Sequence, residues 1–356
     1  MSEPVLPGEP LEEGVLPVGP TPSSVVPSSR PRWPFRPFYP RRAWLLWLVF
    51  LALLVVGLVT SLLAPSLTCL SVPLGILAML MLPTLALGSV GGVMRGISGT
   101  WRDVTSGLLG GATLGIGLAM AAEGGLLAFA LLLALLAGLI PGGLEGLRQL
   151  PEQFGDMETL LDPQVLSRLL TPTNLLVALL FISVATPLIE EAAKTLAVGL
   201  AGLYLRPSPP RAFLLGVASG AGFALVENLL NGSVAGPLWT AAALSRLAAT
   251  FMHCATGGLM GWGWGQLWTT RRPWRLLLAY VGSFALHATW NGLVLGTVAG
   301  ALYGIIHPED LSRMMLAGLV ILTLGTALLL LALAVIIGLL WAARALAART
   351  ARGALV

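Results

Sequence analysis

Two adjacent carboxylates and an amine lie in the middle of an apolar stretch that runs from about residue 174 to 205: Glu190, Glu191 and Lys194. On a helix, Lys194 follows Glu190 by four residues and Glu191 by three, so one ammonium group can lie near both carboxylates. Each ionised side chain at the centre of a bilayer costs roughly 3 kcal/mol. Charges kept at that cost are typical of functional sites, and the alternative is an ion pair that only joins helices.

Three later apolar stretches carry polar side chains of their own: Glu227 with Asn228, Arg246 with His253, and His287 with Asn291. Counted from the ends of the predicted helices at 1.5 Å per residue, these side chains lie within a few turns of one plane. The spacing is compatible with a single polar site shared by four helices.

Glu227 has three interpretations: a metal ligand, a partner for a histidine, or a partner for Arg246. Arg246 itself is either a buried counter-charge or a side chain that reaches towards the membrane surface. His287 and Asn291 are four residues apart on one helical face, which suits an oxyanion hole or a metal ligand with its orienting group.

The remaining histidine and the cysteines are not expected in the site. His307 stands beside Pro308 in a predicted loop and is interpreted as a surface residue. Cys254 adjoins His253, but neighbours on a helix point about 100° apart, so a Cys–His nucleophile pair is not expected. Cys69 and Cys254 form no CxxC motif, and the sequence indicates neither a disulfide framework nor a cysteine zinc module.

Composition assigns the chain to the membrane proteins. Of its 356 residues 56% are hydrophobic and only 10% are charged, whereas soluble domains carry about 25% charged residues. The net charge of +4 comes from arginines beside the apolar stretches, where topology determinants lie. No nucleic-acid partner is expected.

The predicted fold is an all-α membrane bundle of about eight transmembrane helices, preceded by a disordered tail. The predicted spans are 43–64, 70–93, 105–141, 174–205, 212–232, 238–267, 275–300 and 314–343. The stretch 105–141 is long and rich in glycine, with Glu123 near its middle. For both termini to lie on the same side, this stretch must cross the membrane an odd number of times. It does so either as one kinked helix or as a span with a re-entrant piece.

Loop charge predicts the topology. Arginine-rich connections alternate with neutral or acidic ones, which fits two cytoplasmic termini in a plasma (inner) membrane. Five regions follow: a Pro-rich disordered cytoplasmic tail (1–40), N-terminal transmembrane helices (41–141), an acidic extracytoplasmic loop (142–173), a catalytic transmembrane core (174–300), and a C-terminal transmembrane helix with a short basic tail (301–356).

Glycine pairs on two of the core helices predict close packing. Gly216 and Gly220 form one small-xxx-small pair, and Gly257 and Gly261 form another. Such pairs let helix backbones approach each other in a membrane.

At these residues the sequence resembles the PrsW family of intramembrane proteases. The resemblance covers about 187–291 and rests on an EExxK motif at 190–194, an FxxxE motif from Phe223 to Glu227, and the histidines of later helices. The HxxxN motif from His287 to Asn291 is similar to that of the CAAX-processing and bacteriocin-processing membrane endopeptidases. Glu227 stands where the prenyl-protein proteases have histidine, so prenylated substrates are not inferred.

The resemblance implies hydrolysis of a peptide bond in a membrane-anchored protein, similar to an anti-sigma factor, at the lipid bilayer. Glu190 would activate the water, with Glu191 and Lys194 setting its charge and position. His253 would position the water or bind a metal, and His287 and Asn291 would stabilise the oxyanion.

The cofactor has two interpretations. A catalytic zinc needs three protein ligands and an open position, and His253, His287 and a carboxylate, Glu227 or Glu190, could supply them. The alternative is a glutamate-activated water without metal. The oligomeric state is left open.

Two other functions compete with the protease. An ion-coupled transporter predicts polar residues along a path and often an internal repeat, and the sequence shows neither. A non-catalytic scaffold of the same fold predicts the loss of cluster members, and all of them are present.

Overall fold

A computed structural model describes residues 35–63, 68–96, 99–138, 142–146, 148, 162–236 and 239–353. Regular structure within these residues is helical, apart from one isolated bridge between Pro37 and Thr100. The all-α class predicted from the sequence is confirmed. The predicted tail, up to residue 34, and residues 147 and 149–161 of the predicted acidic loop (142–173) lie outside the described residues.

The helices are α1 (Ala43–Leu63), α2 (Thr68–Met94), α3 (Trp101–Gly110), α4 (Ile116–Leu136), α5 (Pro163–Leu169), α6 (Pro172–Leu180), α7 (Thr186–Lys194), α8 (Leu196–Leu205), α9 (Pro209–Ala235), α10 (Trp239–Thr270), α11 (Pro273–Ile306) and α12 (Leu311–Gly353). Two π-helical turns join neighbouring helices: π1 (Gly111–Gly115) between α3 and α4, and π2 (Phe181–Ala185) between α6 and α7.

Within the described residues, seven helical stretches are long and apolar enough to cross a membrane: Ala43–Leu62, Ser71–Met94, Trp101–Leu136, Pro172–Leu205, Pro209–Ser233, Pro273–Ile306 and Leu311–Arg352. They correspond to seven of the eight predicted spans, and the chain is an integral membrane protein built as a helix bundle. The eighth, α10, is a 32-residue helix of lower hydrophobicity. It packs between α9 and α11 and buries polar side chains and glycines inside the bundle.

The long stretch around Glu123 is helical from Trp101 to Leu136, with π1 inserted, so the single-helix alternative describes it. The stretch 172–205 contains π2 and then a break at Thr195, whose φ and ψ are −103° and 7°. The short helix α7, with Glu190 and Glu191, lies between these two irregularities. π-Helical turns often mark functional sites, because they shift the register of the side chains that follow.

The predicted close packing occurs between α9 and α10. A Cβ atom on Gly216 would lie 2.9 Å from Cα of Gly261, and one on Gly220 would lie 3.1 Å from Cα of Cys254. Both added atoms would also overlap backbone carbonyl oxygens of α10, those of Gly257 and His253. Only glycine therefore permits this contact, and the contact brings His253 up against α9.

A buried network fixes α9 against α2 and α10. The Asn228 amide donates to the carbonyl oxygen of Met79 (3.1 Å) and to Oγ1 of Thr250 (3.0 Å). At the other end of α9, Arg211 pairs with Asp103 of α3 at 2.6 Å. With both ends held, α9 presents Phe223 and Glu227 to α7 and α10 in one register.

Candidate functional site

The short helix α7 supplies the centre of the polar cluster. Glu190, Glu191 and Lys194 are all buried, the last two completely. Helix α7 packs against α4, α10 and α11. Its buried face therefore meets polar side chains from the other helices of the bundle.

Glu191 is held by three donors. Nζ of Lys194 lies 2.6 Å from Glu191 Oε1, and the Thr256 hydroxyl of α10 donates to the same oxygen over 3.1 Å. The ammonium group also lies 5.0 Å from the centre of the Phe223 ring, a distance typical of a cation–π contact. The third donor is His287, so this carboxylate is an ionised acceptor whose charge Lys194 balances.

His287 of α11 lies between the two glutamates of α7 and bonds one of them. Its Nδ1 lies 2.8 Å from Oε1 of Glu191. Because an ionised carboxylate only accepts, Nδ1 carries the hydrogen, and Nε2 of the neutral ring holds the lone pair. Nε2 lies 3.7 Å from Oε2 of Glu190, beyond hydrogen-bond distance.

His253 of α10 has its own carboxylate partner. Nε2 of His253 lies 2.7 Å from Oε2 of Glu227, and Arg246 donates to that oxygen at 2.7 Å. Arg246 is fixed in turn by a bond of 2.7 Å from its Nε to Asn228. It is thus the counter-charge of Glu227, and Nδ1 of His253 has no hydrogen-bond partner among the described residues.

Glu190, His253 and His287 come together as a candidate set of metal ligands. One ligand atom from each lies within 4.8 Å of the other two, and all three residues are buried. The two imidazole rings stand edge to face, with centroids 5.0 Å apart. Oε2 of Glu190, like Nδ1 of His253, has no hydrogen-bond partner in the described part of the chain. Two imidazoles and a carboxylate with unused donor atoms fit a catalytic zinc site.

Glu227, one of the two carboxylates predicted as alternative metal ligands, is not part of this set. One of its oxygens is shared by Arg246 and His253. This is the position of a carboxylate that orients a metal-binding histidine.

Asn291, predicted in the oxyanion hole, lies one helical turn beyond His287. Its amide nitrogen donates to the carbonyl oxygen of Ile182 in π2 over 2.9 Å. The oxyanion role of this residue stays a prediction. Two of the residues not expected in the site have other surroundings: Cys254 packs in a buried apolar cluster as a free thiol, and His307 lies against Tyr303 and Arg313.

Two residues near the cluster were missed in the sequence-based site. Thr256 bonds Glu191, and an intramembrane threonine carries no distinctive signal. Glu123 of α4 is half-buried, its Oε1 is enclosed without a described hydrogen-bond partner, and its charge acts on those of Glu227 and Glu190. A carboxylate within an apolar span was the available signal for Glu123.

The chain matches a known protein family over much of its length. Residues 124–326 match the model of the PrsW family intramembrane metalloprotease, which is more than half of the chain. Neither the curated proteins nor the solved structures include a significant match. The matched segment contains Glu190, His253 and His287, and the chain belongs to the PrsW family of intramembrane metalloproteases.

Proposed function

We propose that this protein is an endopeptidase that hydrolyses a peptide bond of a membrane-anchored protein at a metal held by Glu190, His253 and His287. One observation carries the proposal. Each histidine has one ring nitrogen against a carboxylate, His287 on Glu191 and His253 on Glu227. The opposite nitrogen of each ring and the unpaired oxygen of Glu190 are the proposed ligand atoms.

A bound zinc ion would supply Lewis-acid polarisation of the substrate carbonyl and an activated water. The chain's own groups prepare the ligands. Glu191 and Glu227 hold the imidazoles in the tautomers that leave a lone pair for coordination. Lys194 and Arg246 balance those two carboxylates at 2.6 and 2.7 Å, so that neither is left as an isolated buried charge.

Glu190 has two roles compatible with its position. As a ligand it completes the Glu/His/His set. Without a metal it would take the proton of the attacking water itself, with Nε2 of His287 on one side at 3.7 Å. In this second role the water oxygen bonds to the carbonyl carbon, Glu190 takes the proton, the C–N bond breaks, and Glu190 passes the proton to the leaving amine.

The oxyanion that forms in this reaction needs donors near the carbonyl oxygen. Asn291 of α11 is the proposed donor, because it retains one amide hydrogen beyond the bond to Ile182. His287, also predicted as a donor, uses its one N–H on Glu191 and has only a lone pair at Nε2. We assign the catalytic transmembrane core to residues 174–300, which contain all seven predicted site residues.

The depth of the site supports a substrate within the membrane. Glu190 lies 18 residues after Pro172, the start of a 34-residue span, which is about 27 Å along a helix. The proposed substrate is a membrane-anchored protein similar to an anti-sigma factor. The proposed location is the plasma (inner) membrane with both termini in the cytoplasm, from the distribution of arginines.

The test is cleavage of single-span membrane proteins co-reconstituted in vesicles with the purified full-length protein. Wild type, Glu190→Gln and His287→Ala are compared, with Glu309→Gln as a control at an exposed acid between α11 and α12. Cleavage by wild type and by the control alone is expected. Equal products from all four proteins would indicate a contaminating protease, and folded wild type without activity on a broad panel would refute the proposal.

A further inference from the structure

Glu123 lies on the face of α4 that covers the site. Ile116 and Ala119 pack with Ala193 and Phe223 in one buried cluster. Glu123 follows Ala119 by four residues, so it continues the same face one turn further along the helix. Its neighbours on either side, Ala122 and Gly124, are exposed. The carboxylate therefore stands at the edge of the site, between the lipid-facing surface and the cluster.

One carboxylate oxygen of Glu123, Oε1, is buried without a hydrogen bond to any described residue. An oxygen in that state is costly unless something that is not part of the chain binds to it. The charge of Glu227 acts on both Glu123 and Glu190, and the cation whose charge acts on Glu190, Lys194, is already paired with Glu191.

The cluster contains more acidic side chains than basic ones. Four carboxylates act on one another, those of Glu123, Glu190, Glu191 and Glu227. Lys194 pairs with Glu191 and Arg246 pairs with Glu227. If ionised, Glu123 and Glu190 would add two negative charges, and neither forms a salt bridge with a lysine or arginine among the described residues. Such an excess in a membrane has to be balanced by protons or by a bound cation.

We infer that Glu123 is a positioning residue that strengthens the binding of a divalent cation at Glu190, His253 and His287. A charge of +2 offsets the two unpaired carboxylates and brings the cluster to neutrality. Because Glu123 is not one of the three grouped ligands, it acts through its charge or through a water on the metal. The inference rests on the metal site of the proposed function. It adds a residue that precedes the family match, which begins at 124.

The experiment measures zinc affinity directly, by competition with a chromophoric chelator, in purified full-length protein freed of metal. Loss of a partner outside the ligand set typically lowers metal affinity by about 10–100-fold. We expect Glu123→Gln to fall in that range, Glu123→Asp to bind several times more tightly than Glu123→Gln, and Glu309→Gln to bind as wild type does. The pair Glu123→Asp and Glu123→Asn repeats the charge comparison in a shorter side chain, in case Glu123→Gln does not fold.

Equal zinc affinity in wild type, Glu123→Gln and Glu123→Asn would overturn the inference. Wild type that cleaves substrate but binds no zinc would overturn it as well, while leaving the peptidase in place. Wild type that binds zinc and cleaves nothing would count against the proposed function alone. In that case the affinities of the Glu123 variants still decide whether Glu123 supports the metal site.

Discussion

Nδ1 of His287 lies 2.8 Å from Oε1 of Glu191, and both side chains are buried. The contact joins α11 to α7 and settles which nitrogen of the imidazole keeps its lone pair. The same oxygen of Glu191 also accepts hydrogen bonds from Lys194 and Thr256. One carboxylate oxygen thus orients a candidate ligand and holds three helices together.

Glu191→Gln should reduce zinc affinity by about 10–100-fold, because the amide no longer enforces the tautomer and orientation of His287. Chelator competition with the purified variant measures this. Glu309→Gln is the control, since that exposed side chain lies away from the cluster. Unchanged zinc affinity in Glu191→Gln would show that His287 does not need this partner, or is not a ligand.

Arg246→Lys should weaken the site although it keeps the charge. The guanidinium uses two nitrogens, Nη2 towards Glu227 and Nε towards Asn228. A lysine has one nitrogen and cannot reproduce this fork. We expect the melting temperature and the zinc affinity both to fall, with a loss of about 1–3 kcal/mol of stability. A variant with wild-type values for both would show that the second bond contributes nothing.

Gly220→Ala should destabilise the bundle by about 1–3 kcal/mol. The new methyl group would overlap the carbonyl oxygen of His253 and push α9 and α10 apart. Gly124→Ala is the matched control, because a Cβ atom there meets nothing within 4 Å. At an open helical position alanine is favoured over glycine by up to about 1 kcal/mol. Equal melting temperatures for the two variants would contradict the close contact.

Lys194→Met should destabilise the protein by about 3–5 kcal/mol, because it leaves Glu191 as a buried charge without its cation. The double variant Lys194→Met/Glu191→Gln removes both charges and should recover part of that loss. Thermal unfolding in detergent measures both proteins. If the double variant is no more stable than Lys194→Met, the ion pair is not the source of the effect.

Much of this site follows from charge and spacing alone. Glu190, Glu191 and Lys194 are conspicuous because ionised groups are costly in apolar spans, and His253 and His287 because the chain has few histidines. The close contact of α9 and α10 follows from their glycine pairs. Each of these predictions depends only on residue type and position, which can be read directly from the sequence.

The metal ligands could not be predicted from charge and spacing alone. Glu190 and Glu227 are equivalent carboxylates in the sequence, and only the position of Arg246 beside Glu227 separates them. The π-helical turns also have no clear sequence signal, yet π2 sets the register of α7 and with it the direction of Glu190. Glu123 stands out in the sequence as an acid within an apolar span, but the effect of Glu227 on it depends on how α4 packs.

The central claim is tested most directly by titrating zinc into metal-free wild-type protein while peptide-bond cleavage and bound zinc are measured in the same sample. The account predicts that activity rises in proportion to bound zinc and stops rising at one ion per chain. His253→Ala and His287→Ala should bind weakly and stay inactive. Full activity in protein that holds no metal would contradict the account and would assign the activation of water to Glu190 alone.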